Sequence, residues 1–223
     1  MRIAFCPHPP VLVPAVAQGA SAEVADLRTA CDAVVRALIA GDSVKRVTVV
    51  GSGHASGRWD ESAGGTLAGY GVDVGAGGTK AALPLSLTIG AWLLDRAGWE
   101  GGRTYVATAA DEPVDVSGAV LVMADGTAKR GENAPGHVDD RAPIFDKAIA
   151  QALASGDADA LGNLDPALGE QLWAAGVPAL RAVGRQIVAA GSRVIDARLT
   201  YDDAPYGVGY FVAEWTLSEM AGQ

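Results

Sequence analysis

Residues 2–54 read RIAFCPHPPVLVPAVAQGASAEVADLRTACDAVVRALIAGDSVKRVTVVGSGH. Arg2 to Cys6 is a short apolar run halted by Pro7, the pattern of a buried first strand. Pro7, Pro9, Pro10 and Pro14 lock φ and keep the preceding residues out of the helical region, so an extended loop follows. Ser21 is a candidate N-cap for the next element, with Glu23 in its first turn. Val24, Leu27, Cys31, Val34 and Leu38 recur at spacings of three and four and make one apolar helical face. Gly41 is a natural stop. Arg46 to Val50 then forms a second strand, broken at once by Gly51-Ser52-Gly53-His54. Strand, helix and strand in this order point to an α/β fold.

The rest of the chain extends the pattern. Ala55 to Lys80 is Gly-rich and polar and reads as an irregular excursion, with room for a short strand near Gly71 to Val74. Leu83 to Ala97 is apolar enough for a buried helix ended by Gly98. Thr104 to Ala107 is a strand, and Ala119 to Met123 a central one ended by Ala124-Asp125-Gly126. Phe145, Ala148, Ile149, Ala152 and Leu153 mark an amphipathic helix. Helical stretches follow at Pro166 to Ala174 and Ala179 to Ala190. Two strands close the chain, Arg193 to Thr200 and Gly207 to Glu214, joined by a polar turn with Asp202, Asp203 and Pro205. The expected fold is one α/β domain over residues 1–223, a mixed central sheet with helices on both faces. No linker or repeat divides it.

Composition narrows the function. With 49% hydrophobic and 19% charged residues the chain can bury a core. A formal net charge of −9, with no run of Lys or Arg, argues against nucleic acid and against an anionic membrane surface as partners. The prolines interrupt the N-terminal apolar run too early for a signal peptide. No apolar run reaches the roughly 20 residues of a membrane span, so the cytoplasm is the expected location. Cys6 and Cys31 fall on apolar faces and read as small buried thiols.

The three histidines carry the functional signal. His8 follows the first strand, His54 the second, and His137 lies in the long loop after the Ala119–Met123 strand. Ligands of open α/β sheets bind beyond the strand C-termini. Three loops can therefore deliver three imidazoles to one crevice, as metal ligands or as an acid/base. Three unrelated loop histidines are the competing reading. Other patterns are weaker. Asp139-Asp140 and Asp202-Asp203 read as solvated turns. Gly75 to Lys80 lacks the spacing of a phosphate loop. Ser52 and Ser56 lack a nucleophile elbow. Tyr206 and Tyr210 read as turn and core aromatics.

Cys6-Pro7-His8-Pro9-Pro10-Val11-Leu12-Val13-Pro14 resembles the opening motif of the LigB-like superfamily, which holds class III extradiol ring-cleavage dioxygenase subunits and MEMO-like proteins. Val49-Val50-Gly51-Ser52-Gly53-His54 is similar to its second motif. His137 with Asp140-Arg141-Ala142 and Phe145-Asp146 resembles the third, and Gly207 to Ala213 the closing strand. The ordered set spans nearly the whole chain, and the Ala- and Gly-rich composition looks most like an actinobacterial branch. The resemblance implies a LigB-like three-layer domain of the phosphorylase/hydrolase type. It implies non-haem Fe(II), with Zn(II) as the alternative, held by His8 and His54. His137 would be the acid/base in oxygen-dependent opening of a catechol-type ring. It also implies a small aromatic substrate and allows a homo-oligomer. The family's carboxylate ligand falls on Ala175-Gly176-Val177-Pro178-Ala179, which contains no donor side chain. The third protein ligand is therefore unassigned, and Asp125, Asp140, Glu170 and Glu214 are the acids to place. Without one, a metal- or small-molecule-binding relative without ring cleavage is the alternative. A metal-dependent hydrolase is a further one.

Overall fold

The computed structural model describes residues 1–218, apart from 42, 110–113, 115–117 and 133. Strand β1 (Arg2–Cys6) leads through a proline-rich loop with a short helix, α1 (Pro14–Ala17), to α2 (Ala25–Ile39). Strand β2 (Arg46–Ser52) is followed by four short strands, β3 (Gly57–Asp60), β4 (Ala63–Thr66), β5 (Gly75–Gly77) and β6 (Lys80–Ala81). Then come α3 (Leu85–Arg96), β7 (Gly102–Thr108) and β8 (Ala119–Met123). Four helices follow: α4 (Ala142–Ser155), α5 (Ala158–Gly162), α6 (Pro166–Gln171) and α7 (Val177–Ala189). β9 (Val194–Asp203) and β10 (Tyr210–Leu217) close the fold.

Among the described residues, seven strands form one mixed sheet in the order β3-β7-β2-β8-β1-β10-β9. The inner four are parallel, with β8 paired to β1 on one side and β2 on the other. Three antiparallel strands flank them: β3 beside β7, and β10 then β9 beside β1. Successive residues of a strand point to opposite faces, and two cores result. Phe5, Val50, Val120, Val122 and Trp215 pack on one face with α4, α5 and α7. Cys6, Val49, Leu121, Met123 and Val212 pack on the other with α2 and α3. All five residues of β8 are buried, as a continuous apolar run in a doubly covered sheet should be. Val120, Leu121, Val122 and Met123 each contribute about 1.5–3 kcal/mol of burial free energy. Trp215 joins the layers: its ring meets Phe5 edge-on at 4.8 Å, and its indole N–H donates to Leu153 O at 2.7 Å.

Three local expectations are corrected. Val24 takes the N-cap position of α2 without a side-chain cap, while Ser21 Oγ accepts from Arg28 at 3.2 Å instead. The segment from Ala55 to Lys80 is not irregular: β3 edges the main sheet, and β4, β5 and β6 form a second sheet packed along α3. Gly71 to Val74 is not a strand; Gly71 takes φ +79° and turns the chain between β4 and β5. Helix α5, which no periodicity announced, begins where the Asp157 side chain accepts from Ala160 N at 2.9 Å.

Candidate functional site

The C-terminal ends of β1, β8 and β2 lie level, with Met123 of β8 opposite both Cys6 and Gly51. The chain leaves these three strands just beyond that line, bringing His8, Asp125 and His54 to the same edge of the sheet. The β8 loop emerges between the other two, which gives Asp125 its place. The His8 backbone N–H donates to Asp125 Oδ1 at 2.6 Å, and His8 Nδ1 lies 3.4 Å from the same oxygen. His8 is only 7% exposed, and its Nδ1 is buried with no hydrogen-bond partner closer than that carboxylate contact. The Nδ1 edge thus faces Asp125, leaving Nε2 as the ring nitrogen able to meet a ligand.

Asp125 is held from several sides. Its backbone oxygen accepts from Gly176 N at 2.9 Å, at the start of α7. A Cβ at Gly176 would lie 2.5 Å from that oxygen, so this approach requires glycine. Burial pushes the Asp125 carboxyl above its ordinary pKa, opposed by the His8 charge and backbone N–H. Tyr210 of β10, the strand on the far side of β1 from β8, pairs with Asp125 as an isolated antiparallel bridge. Its hydroxyl is held well above the usual tyrosine range, first by burial and then by the Asp125 charge.

Two helix N-termini converge on the neighbouring strand end. Ser86 Oγ, in the first turn of α3, donates to Ser52 O at 2.7 Å. Ser52 Oγ accepts from Ala179 N of α7 at 3.3 Å. Ser52 therefore ties β2 to both helices. Their positive ends favour an electron-rich group at this edge.

A second buried acid shapes the β8 loop. Asp146 of α4 accepts from Thr127 N at 2.8 Å and from Thr127 Oγ1 at 2.9 Å, with Arg130 at 3.6 Å. It is 1% exposed, and burial raises its pKa to about 6 against the Thr127 hydrogen bonds and the Arg130 charge. Asp146 thus anchors the turn that carries Asp125.

The structure brings His8 and Asp125 together. His54 and His137 are both exposed and have no hydrogen-bond or ion-pair partner among the described residues. Among the described residues no group of three or more His, Cys, Asp or Glu is arranged to hold a metal ion. Asp140 and Glu170 are exposed, and Glu214 sits inside β10 opposite Ala4, away from the strand ends. The donor set that comes together is one imidazole and one carboxylate. A three-donor Fe(II) face, or the three protein donors usual at a catalytic zinc, needs one more. Of this candidate pair Asp125 is the less visible in sequence, where it reads as a strand terminator and as one of four acids to place. The rule that singled out His8 and His54, position just past a strand, applies to it equally. Cys6 and Cys31 are buried and free, and burial together with the neighbouring Cys6 raises the Cys31 thiol pKa. No helix of the described residues is long and apolar enough to cross a membrane. The chain matches no protein-family model and no curated protein sequence.

Proposed function

We propose that this chain is a single-domain LigB-like protein, related to the extradiol ring-cleavage dioxygenases, that binds a small oxygenated aromatic ligand of catechol type at His8 and Asp125 without cleaving its ring. The observation that carries this reading is the His8–Asp125 pair at the C-terminal edge of the parallel strands. An imidazole backed by a carboxylate can accept or donate a proton at a ligand hydroxyl. The nearby helix N-termini favour a phenolate-like oxygen there. Two assembled donors support binding over iron chemistry, because metal affinity rests on the number and type of ligands.

The second reading is the ring-cleaving enzyme, with Fe(II) held by His8, His54 and Asp125 and with His137 as acid/base. It is favoured by the strand order, which sends His8 and His54 out on either side of Asp125. The test is protein purified without oxygen, supplied with Fe(II) or Zn(II), assayed for bound metal, and titrated with catechols under air. The binding reading expects ligand-dependent fluorescence or calorimetric signal, substoichiometric metal and no ring-opened product, with the signal lost in Asp125→Ala. Near-stoichiometric iron with ring-opened product would replace it by the enzyme reading. Neither metal nor catechol binding would overturn both.

A further inference from the structure

A cavity of about 450 Å³ lies at the other end of the parallel strands, lined by the N-terminal parts of β1, β2 and β8 with β3 and β7. Arg2, Lys45, Arg46 and Arg58 all line it, and no acid does among the described residues. This is unusual in a chain of net charge −9, where 17 basic residues face 26 acids. We propose that this cavity is a binding site for the phosphate group of a small organic phosphate, separate from the His8–Asp125 edge.

The four cations are not equivalent. Arg2 is docked on the C-terminal carbonyls of α2, donating to Ala37 O at 2.8 Å and to Ala40 O at 3.4 Å. Arg46 is braced by Glu61 at 2.9 Å, Arg103 O at 2.9 Å and Thr104 Oγ1 at 3.4 Å. These two guanidiniums are positioned before any ligand arrives, which lowers the ordering cost of binding. Lys45 and Arg58 are exposed, and their side chains have no ion-pair or hydrogen-bond partner among the described residues. They supply uncompensated charge at the mouth. The Thr48 and Thr104 residues, both nearly buried, line the same cavity and add hydroxyl groups to the donor set. Guanidinium forks, an ammonium and hydroxyls match a tetrahedral oxyanion with several acceptor oxygens. The cavity volume fits a small phosphorylated molecule. A nucleic-acid backbone would instead need a basic stripe, and the strongly acidic remainder of the surface repels one.

The probe is inorganic pyrophosphate, titrated calorimetrically into the full chain at low and at physiological salt, beside a short single-stranded oligonucleotide. The expected result is saturable pyrophosphate binding that weakens as salt rises. Lys45→Ala/Arg58→Ala should weaken it roughly tenfold or more with an unchanged circular dichroism spectrum. The charge reversal Arg58→Glu should abolish it, and His8→Ala should leave it intact. Absence of pyrophosphate binding, binding indifferent to the double substitution, or loss of binding in His8→Ala would each overturn the proposal. Tighter binding of the oligonucleotide than of pyrophosphate would overturn it in favour of a nucleic-acid surface.

Discussion

At the scale of single residues, two buried acids govern the edge that carries the candidate site, and they behave differently. Asp125 gives the His8 N–H its acceptor. Asp125→Ala strands that donor in a nearly closed environment and should cost about 1–3 kcal/mol of stability. His8→Ala removes the ring and keeps the backbone bond, so it should cost less than Asp125→Ala in a urea midpoint comparison. The reverse order would show that the imidazole, and not the carboxylate, holds the loops together. Asp146 carries a pH signature. Its folded pKa of about 6 lies above the ordinary 3.8, so the native state keeps this proton to higher pH than the unfolded chain does. Its contribution is then fully present below about pH 4 and is lost as pH rises through about 6, by a total of about 3 kcal/mol. Asp146→Asn should flatten the stability profile across that window. An unchanged slope between pH 4 and 6 would assign the proton to another group.

At the scale of elements, close backbone approaches set what the sequence tolerates. The start of α7 reaches Asp125 only because position 176 lacks a side chain. Gly176→Val should push the helix from β8 and lower the proposed catechol affinity as well as stability, the two losses appearing together. A fall in stability alone would mean that α7 does not position Asp125. The second sheet has its own tight contact: a Cβ at Gly65 would fall 1.9 Å from Thr88 Oγ1 of α3. Gly65→Val should therefore destabilise by roughly 1–3 kcal/mol through overpacking. Since β4 and β5 pack on α3, that substitution should leave the proposed catechol binding intact, which a binding titration checks.

At the scale of the whole molecule, the sheet is covered on both faces, and the two cores share the same strands. Leu153 lies in one core and Leu27 in the other. Leu153→Ala and Leu27→Ala should each lower the stability of one and the same unfolding transition, by about 2–5 kcal/mol. Two separable transitions would show that the layers fold independently. The two ends of the parallel strands also differ in chemistry: His8 and Asp125 meet at the C-terminal edge, and four cations gather at the N-terminal edge.

Much of this architecture is legible in the chain itself. The run Ala119–Met123 has no polar position, so it can only be an inner strand, and it is. The apolar spacing from Leu27 to Leu38 marks α2 to within a few residues. The mixed sheet with helices on both faces follows from such local signals, because burial demands a period of 2 or 3.6 wherever an element has a core face. Where no such period exists the reading fails. β4, β5 and β6 are short and glycine-rich, held by pairing with each other and by packing on α3, and neither interaction leaves a mark in neighbouring residues. The sequence likewise placed His8, His54 and His137 on loops after strands. Only the tertiary structure decided which of them finds a partner. The order β2-β8-β1 sets Asp125 beside His8, and strand order is fixed by long-range pairing, to which residues 117 positions apart contribute no local pattern.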